Sequence, residues 1–319
     1  MNNRRGDFNF VTIFAIFAGI AILILSIYGV TKGGDTQKYQ SDSTIAKQIS
    51  IFTDPMQAGF ATSSSGKIDF HQTIKFRNRC ESFSDFGTNR ISVATQDTSG
   101  KTYGDFGAEI TVQDKYLISN EELETQSLYT LSKTFSFPYD VADFIVLIPD
   151  SEQYCFENAP EFIITSLGAL KIPMIHTENC SDKEMIQICT SNNDCDISIE
   201  GMCSDYECKS KYDYGIIEKD NRIIPFVGEL VYPAIFVERD VYFCNVDRML
   251  YRASLLSQLY TQKTDLLSSR LCATSTKAQL IDWTNSLESI ENADQILGIY
   301  DKSFELKKIN ERSGCKTWD

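Results

Sequence analysis

The sequence predicts an α+β chain in four parts: an N-terminal transmembrane helix, a juxtamembrane helix, an antiparallel β-sandwich-like ectodomain with a Cys-rich insert, and a C-terminal helical hairpin. Three observations predict it. Phe8 to Val30 reads FNFVTIFAIFAGIAILILSIYGV without one charged residue. Many short segments between residues 67 and 237 are apolar at every second position or throughout. After Cys244 the apolar spacing changes to three and four. The boundaries that follow are 1–7 for a cytoplasmic tail, 8–30 for the anchor, 33–56 for the juxtamembrane helix, 57–244 for the ectodomain with its insert at 178–210, and 245–319 for the hairpin.

The anchor comes first. Residues 8–30, at ~1.5 Å each, span ~35 Å as a helix, enough to cross a ~30 Å hydrocarbon core with some tilt. In lipid the run has to be helical, because no water satisfies its N–H and C=O groups. A cleaved secretory signal would show a shorter apolar region, of about 7–15 residues, and a small-residue cleavage site. Ile27-Tyr28-Gly29-Val30-Thr31-Lys32 offers no such site. Arg4 and Arg5 precede the run while Lys32 and Lys38 follow it, so positive charge does not fix the orientation. The cysteines do. All ten lie beyond the anchor, which suits a translocated, disulfide-bonded body with residues 1–7 left in the cytoplasm.

Gly33-Gly34 supplies a hinge. Thr36 to Thr53 then reads as helical, with Ile45, Ile49 and Phe52 on one stripe and Pro55 beyond its end. Ala61 to Gly66 is a small-residue connector. From Lys67 to Phe76, Ile68, Phe70, Ile74 and Phe76 alternate with polar residues, the pattern of a strand buried on one face. Tyr129–Phe137 and Ala108–Gln113 repeat it, and Phe144–Ile148 is an unbroken apolar run suited to a central strand. Ile91–Thr95, Phe162–Thr165, Ile223–Val227 and Ala234–Val237 are further strand candidates. Short strands without helical patterns between them predict antiparallel pairing.

In the tail, Val246, Met249, Leu250, Ala253, Leu256 and Tyr260 mark one helical face. A second helix is expected after Thr276, where Thr276-Lys277-Ala278-Gln279 has the form of a capping box. Its stripe runs from Leu280 through Trp283, Leu287, Ile290, Ala293, Leu297 and Tyr300 to Phe304, which reads as core or subunit interface.

The composition restricts function. With 30 Lys plus Arg against 44 Asp plus Glu, the net charge of −14 argues against nucleic acid as a partner. Cys180, Cys189, Cys195, Cys203 and Cys208 crowd into one polar stretch; Cys80, Cys155, Cys244, Cys272 and Cys315 are dispersed. Each group is odd, so full pairing demands at least one bridge between them. The hairpin geometry makes Cys244–Cys315 the first pair to name, although spacing does not determine connectivity. Zinc is the rival for these cysteines, with His176 four residues before Cys180 and Cys203-x4-Cys208 nearby, but no C-x2-C occurs. Thiol titration of the denatured chain separates the two.

Other chemistry finds little support. Asn192, Asp194, Asp196 and Glu200 open like a calcium loop, but Ile197 and Cys203 stand where that loop needs glycine and glutamate. Ser64-Ser65-Gly66-Lys67 satisfies S-x-x-K without its partner motifs. His71 reads as solvated and His176 as a core or surface residue. The sequence therefore predicts no catalytic residue, no metal ligand and no cofactor. Asn179-Cys180-Ser181 is a formal glycosylation sequon at Asn179.

Arg4-Arg5-Gly6 directly before the apolar run resembles the precursor signal of archaeal type IV pilins. The resemblance implies a cut between Gly6 and Asp7 and a retained apolar helix that packs into a filament core. Asp7 to Val11 carries neither the glutamate nor the polar motif that pilins often have after the cut. As a whole the chain is similar to uncharacterised archaeal single-pass membrane proteins with Cys-bearing ectodomains, a likeness that brings no activity. The expected function is a structural or interaction protein of the cell envelope, which the resemblance implies is built like a pilin, with the lipid bilayer and a second copy or another envelope protein as partners. The alternatives are a monomeric receptor or adhesin head that binds through its Cys-rich loops, and an extracytoplasmic enzyme.

Overall fold

Strand alternation places two separate cores on the two faces of one sheet. The computed structural model describes residues 20–24, 38–51, 53, 65–82, 86–96, 102–113, 115–169, 172–177, 180, 184–190, 195–203, 211–272 and 274–318. The first sheet holds β1 (Ser65–Glu81), β2 (Thr88–Thr95), β3 (Ile110–Gln113), β4 (Tyr116–Ile118), β5 (Glu122–Ser136) and β6 (Asp140–Pro149) in the order β3-β2-β1-β5-β6-β4. Along β6, Phe144, Val146 and Ile148 enter the larger core, whereas Ile145 and Leu147 enter the smaller one. The unbroken apolar run is thus a strand covered on both faces, the arrangement that removes polar alternation.

The smaller core is closed by α1, residues 38–51. Ala46 and Ile49 are fully buried against Ile74, Phe76, Ile91 and Val93. Polar contacts fix the docking. Asp42 Oδ2 accepts the Thr95 N–H at 3.2 Å, Ser43 Oγ accepts the Ala108 N–H at 2.8 Å, and Lys115 Nζ donates to the Ser50 carbonyl at 2.8 Å. That last contact places a cation at the helix C-terminus, where exposed carbonyls and the dipole favour it. Gly107 lies so close to α1 that an added Cβ would stand 2.7 Å from the Ser43 nitrogen. Ile49→Ala is expected to cost about 3 kcal/mol through the cavity it leaves, measured as a lower denaturation midpoint.

The second sheet holds β7 (Tyr154–Glu157), β8 (Ile175–His176), β9 (Ile186–Cys189), β10 (Ile197–Met202), β11 (Tyr214–Lys219) and β12 (Arg222–Val227) in the order β12-β11-β10-β9-β7-β8. A two-residue turn at Asp220 and Asn221, both with positive φ, joins β11 to β12. Four strand pairs are parallel: β4 with β6, β7 with β8, β7 with β9, and β9 with β10.

The antiparallel sandwich expected from the sequence is therefore corrected to a mixed α/β arrangement of two six-stranded sheets. The reason is that two helices lack a helical period. Phe162–Thr165, read as a strand, lies in α2 (Glu161–Ala169), started by Pro160, whose carbonyl accepts the N–H groups of Ile163 and Ile164. Ala234–Val237, also read as a strand, largely overlaps α3 (Val231–Phe236), in which all six residues are buried. A helix buried all round shows no amphipathic stripe. The membrane part of the expected fold class is not seen either. Of residues 8–30 only 20–24 are described, as helix, and among the described residues no helix is long and apolar enough to cross a membrane.

The helical tail is built from α4 (Arg239–Ser269), α5 (Lys277–Ser289), a 3-10 turn at Ala293–Ile299 and α6 (Tyr300–Arg312). The single second helix of the sequence reading is interrupted, because Ile290 leaves α5 in an extended conformation and Asn292 caps the 3-10 turn through its side chain. The expected capping box does not form. Thr276 makes no side-chain cap bond, and its hydroxyl instead shares a 2.6 Å hydrogen bond with that of Thr317.

Two devices fasten α4 to the first sheet. Cys80 at the end of β1 is bridged to Cys244. One turn on, Arg248 is 1% exposed and donates to the Phe86 carbonyl at 3.0 Å, Asn89 Oδ1 at 2.6 Å, Asn245 Oδ1 at 3.1 Å and the Lys115 carbonyl at 2.8 Å. Its guanidinium also stands 4.8 Å from the Tyr116 ring centroid.

Candidate functional site

The cysteines that the sequence singled out are placed as cross-links. Beside Cys80–Cys244, the bridges are Cys155–Cys180, Cys189–Cys195 and Cys272–Cys315; Cys203 is bridged as well. Cys155–Cys180 is the link between the clustered and dispersed groups that their odd numbers require. The Cys244–Cys315 pair is not formed. Cys244 lies near the start of α4 and turns to β1, whereas Cys272 just past its end meets Cys315. Gly6, Asp7, Asn179 and Cys208 lie outside the described residues.

The remaining motif residues do not converge. Lys67 pairs with Asp69 at 2.6 Å, and Ser64 lies outside the described residues. Asp196 Oδ2 accepts the Gln187 N–H at 2.8 Å, as a turn-closing carboxylate does. His176 sits in β8 with a buried Nε2, and His71 lies on β1 in a stretch where pairing with β5 shifts register. Among the described residues no three His, Cys, Asp or Glu side chains are grouped to hold a metal. On the outer side of β1 and β2, Lys75 and Arg77 pair with Glu122, while Arg79 and Arg90 pair with Glu109. Those charges cancel locally and present no single-sign patch.

A cleft of about 600 Å³ opens where the tail helices part. Its size falls in the range of small-molecule sites, roughly 300–1,000 Å³. One wall comes from α4, the other from the end of α5 and the extended residues after it, with Ser82 at the mouth. The break after Ser289 makes the space, since a continuous helix would keep packing along α4. Leu250, Leu255, Leu287 and Ile290 are its apolar lining, Leu250 and Leu287 being themselves buried. Asp247, Glu288 and Glu291 are its acidic lining, spread over both walls, and the described lining residues include no lysine, arginine or histidine.

The carboxylates are held differently. Glu288 Oε1 accepts from Gln258 Nε2 at 3.2 Å and from Ser254 Oγ at 3.4 Å. Burial pushes the Asp247 carboxyl up to about 6; its hydrogen bond from the Ala293 N–H pulls the other way, and Asp294 adds to the rise. Asp294 itself is held by Arg239 at 2.7 Å. Asp247 and the Cys80–Cys244 bridge share one stretch of α4, so the cross-link that fixes the helix also fixes this acid.

A pH dependence follows. The folded carboxyl keeps its proton up to about 6 and the unfolded one only to 3.8, so the folded state binds more protons between these values. Stability therefore falls as pH rises from about 4 to about 6 and is level for this group above that. Asp247→Asn removes this step and is expected to raise stability at pH 7.5, with little change at pH 4, in denaturant melts at the two pH values; solvent that reaches part of the carboxyl keeps the gain below the full value of the shift.

The sequence reading missed Asp247, Glu288 and Arg248. A signal existed for the last: Asn245 and Arg248, three apart, run alongside the apolar face of Val246, Met249 and Leu250. For the acids there was none, since isolated carboxylates on a helix ordinarily face solvent. Comparison of the chain with protein-family models, with curated proteins and with solved structures finds no match.

Proposed function

We propose that the chain is a structural or interaction protein of the cell envelope, held in the membrane by the apolar segment 8–30 with its disulfide-linked body outside the cytoplasm. The observation that carries this reading is the docking of α1. The helix that follows the apolar segment is packed flat on the first sheet by Ala46, Ile49 and three polar contacts. The sheet is in turn bridged to α4. A pull on the segment before α1 is thereby transmitted into a cross-linked body, as a subunit under tension requires.

The pilin-like form of this reading rests on Arg4-Arg5-Gly6 before the apolar run and on a docked helix, α1, that comes next along the chain. Its test is N-terminal sequencing of the protein recovered from membranes. A mature start at Asp7 supports it, and a start at Met1 removes it. The cleft favours a second reading, a monomeric receptor or adhesin head, with the binding region in the tail helices instead of the Cys-rich loops. Crosslinking on native membranes separates the two: a filament subunit gives a homopolymer ladder and a monomeric receptor does not.

A further inference from the structure

We propose that the cleft between α4 and the end of α5 binds a small organic cation with an apolar body, a protonated alkyl- or arylamine. The inference depends on neither the filament nor the membrane anchor. It stands on the cleft's mixed lining. Asp247, Glu288 and Glu291 supply negative charge without a basic residue among the described lining to neutralise it, while the half-buried Leu255 and Ile290 supply a surface that gains from losing water. Tyr251, also in the lining, is 49% exposed, and an aromatic ring there adds attraction for an ammonium group. An anion is excluded by charge, and a wholly apolar ligand would take water from the carboxylates without offering them a counter-charge. A bare metal ion would want its oxygens converging on one point, and among the described residues no such group exists.

Two other cavities among the described residues fit less well. A groove of about 390 Å³ beside His71 carries one carboxylate and one imidazole, and it borders the docked face of α1. The cavity between Lys211 and Lys307, about 220 Å³, is below the usual size of a ligand site.

The charged groups around Asp247 set the pH response. From α4, Arg248 turns away to Phe86 and Asn89; from α5 and its extension come Glu288 and Glu291; from the 3-10 turn comes Asp294, already paired with Arg239. A cation thus meets an acid that gains charge as pH rises through about 6, so binding strengthens in that direction.

The experiment titrates the full chain in zwitterionic nanodiscs with 2-phenylethylammonium, followed by calorimetry, with 2-phenylethanol as the neutral control. Saturable binding of the ammonium is expected at pH 7.5, at least tenfold weaker for the alcohol, at least tenfold weaker in D247N/E288Q, and weaker for the native chain at pH 5. Empty discs titrated at each pH subtract partition into lipid. The pH comparison needs no variant, so it holds even if D247N/E288Q misfolds. Absence of saturable ammonium binding, or equal binding of the alcohol, or no change between pH 7.5 and 5, overturns the proposal.

Discussion

Replacing Arg248 with methionine is expected to cost about 3–5 kcal/mol, enough to lower the melting temperature by roughly ten degrees in a chain of this size. Methionine fills much of the same space, so lost packing is not the main cause. What is lost is the donor that serves four acceptors at once. The carbonyls of Phe86 and Lys115 and the amide oxygens of Asn89 and Asn245 stay in place around an apolar side chain. Each buried acceptor left without its hydrogen bond costs about 1–3 kcal/mol. Arg248→Lys keeps the charge but not the planar fork, and is expected to lose about half as much. Equal losses for methionine and lysine would show that the planar fork, and not the charge, is what matters.

Removing the Cys80–Cys244 bridge by serine substitution at both positions is expected to cost about 5 kcal/mol, the chain-entropy value for closing a 164-residue loop. The corresponding change at Cys189 and Cys195, six residues apart, is expected to cost about 2 kcal/mol. The ratio is the informative quantity, and chemical denaturation of the two variants measures it. Cys80 and Arg248 fasten the same helix to the same sheet. Their losses are therefore expected to be non-additive, and a double-mutant cycle reads the coupling.

The first sheet was the most legible part of the chain. Ile68, Phe70, Ile74 and Phe76 announce β1 by alternation, and Phe144–Ile148 announces a covered central strand by the lack of it. The second sheet was harder. Its strands β7 to β10 are short and sit among polar, Cys-bearing residues, so each carries too few apolar positions to show a period. The helix α2 was misread because Ile163, Ile164 and Thr165 favour strands, and only Pro160 hinted otherwise. Whole-chain strand direction had no local signal at all: parallel pairing of β7, β8 and β9 is decided by connections, not by the residues that pair. The stripe on α1 was visible in Ile45 and Ile49, but its docking through Asp42 and Lys115 was not, because a charged residue reads as solvated until its partner is known. The cleft was least legible. It depends on a helix that stops after Ser289, where the sequence keeps its three-and-four spacing to Phe304.

The account turns on a body that is oxidised and cross-linked across its whole length. Peptide mapping of the unreduced native chain, with alkylation before digestion, tests this most directly. The expected result is linked peptides joining Cys80 to Cys244, Cys155 to Cys180, Cys189 to Cys195 and Cys272 to Cys315, with no alkylated thiol among them. Recovery of these cysteines as free thiols, or of a Cys244–Cys315 link, would contradict it.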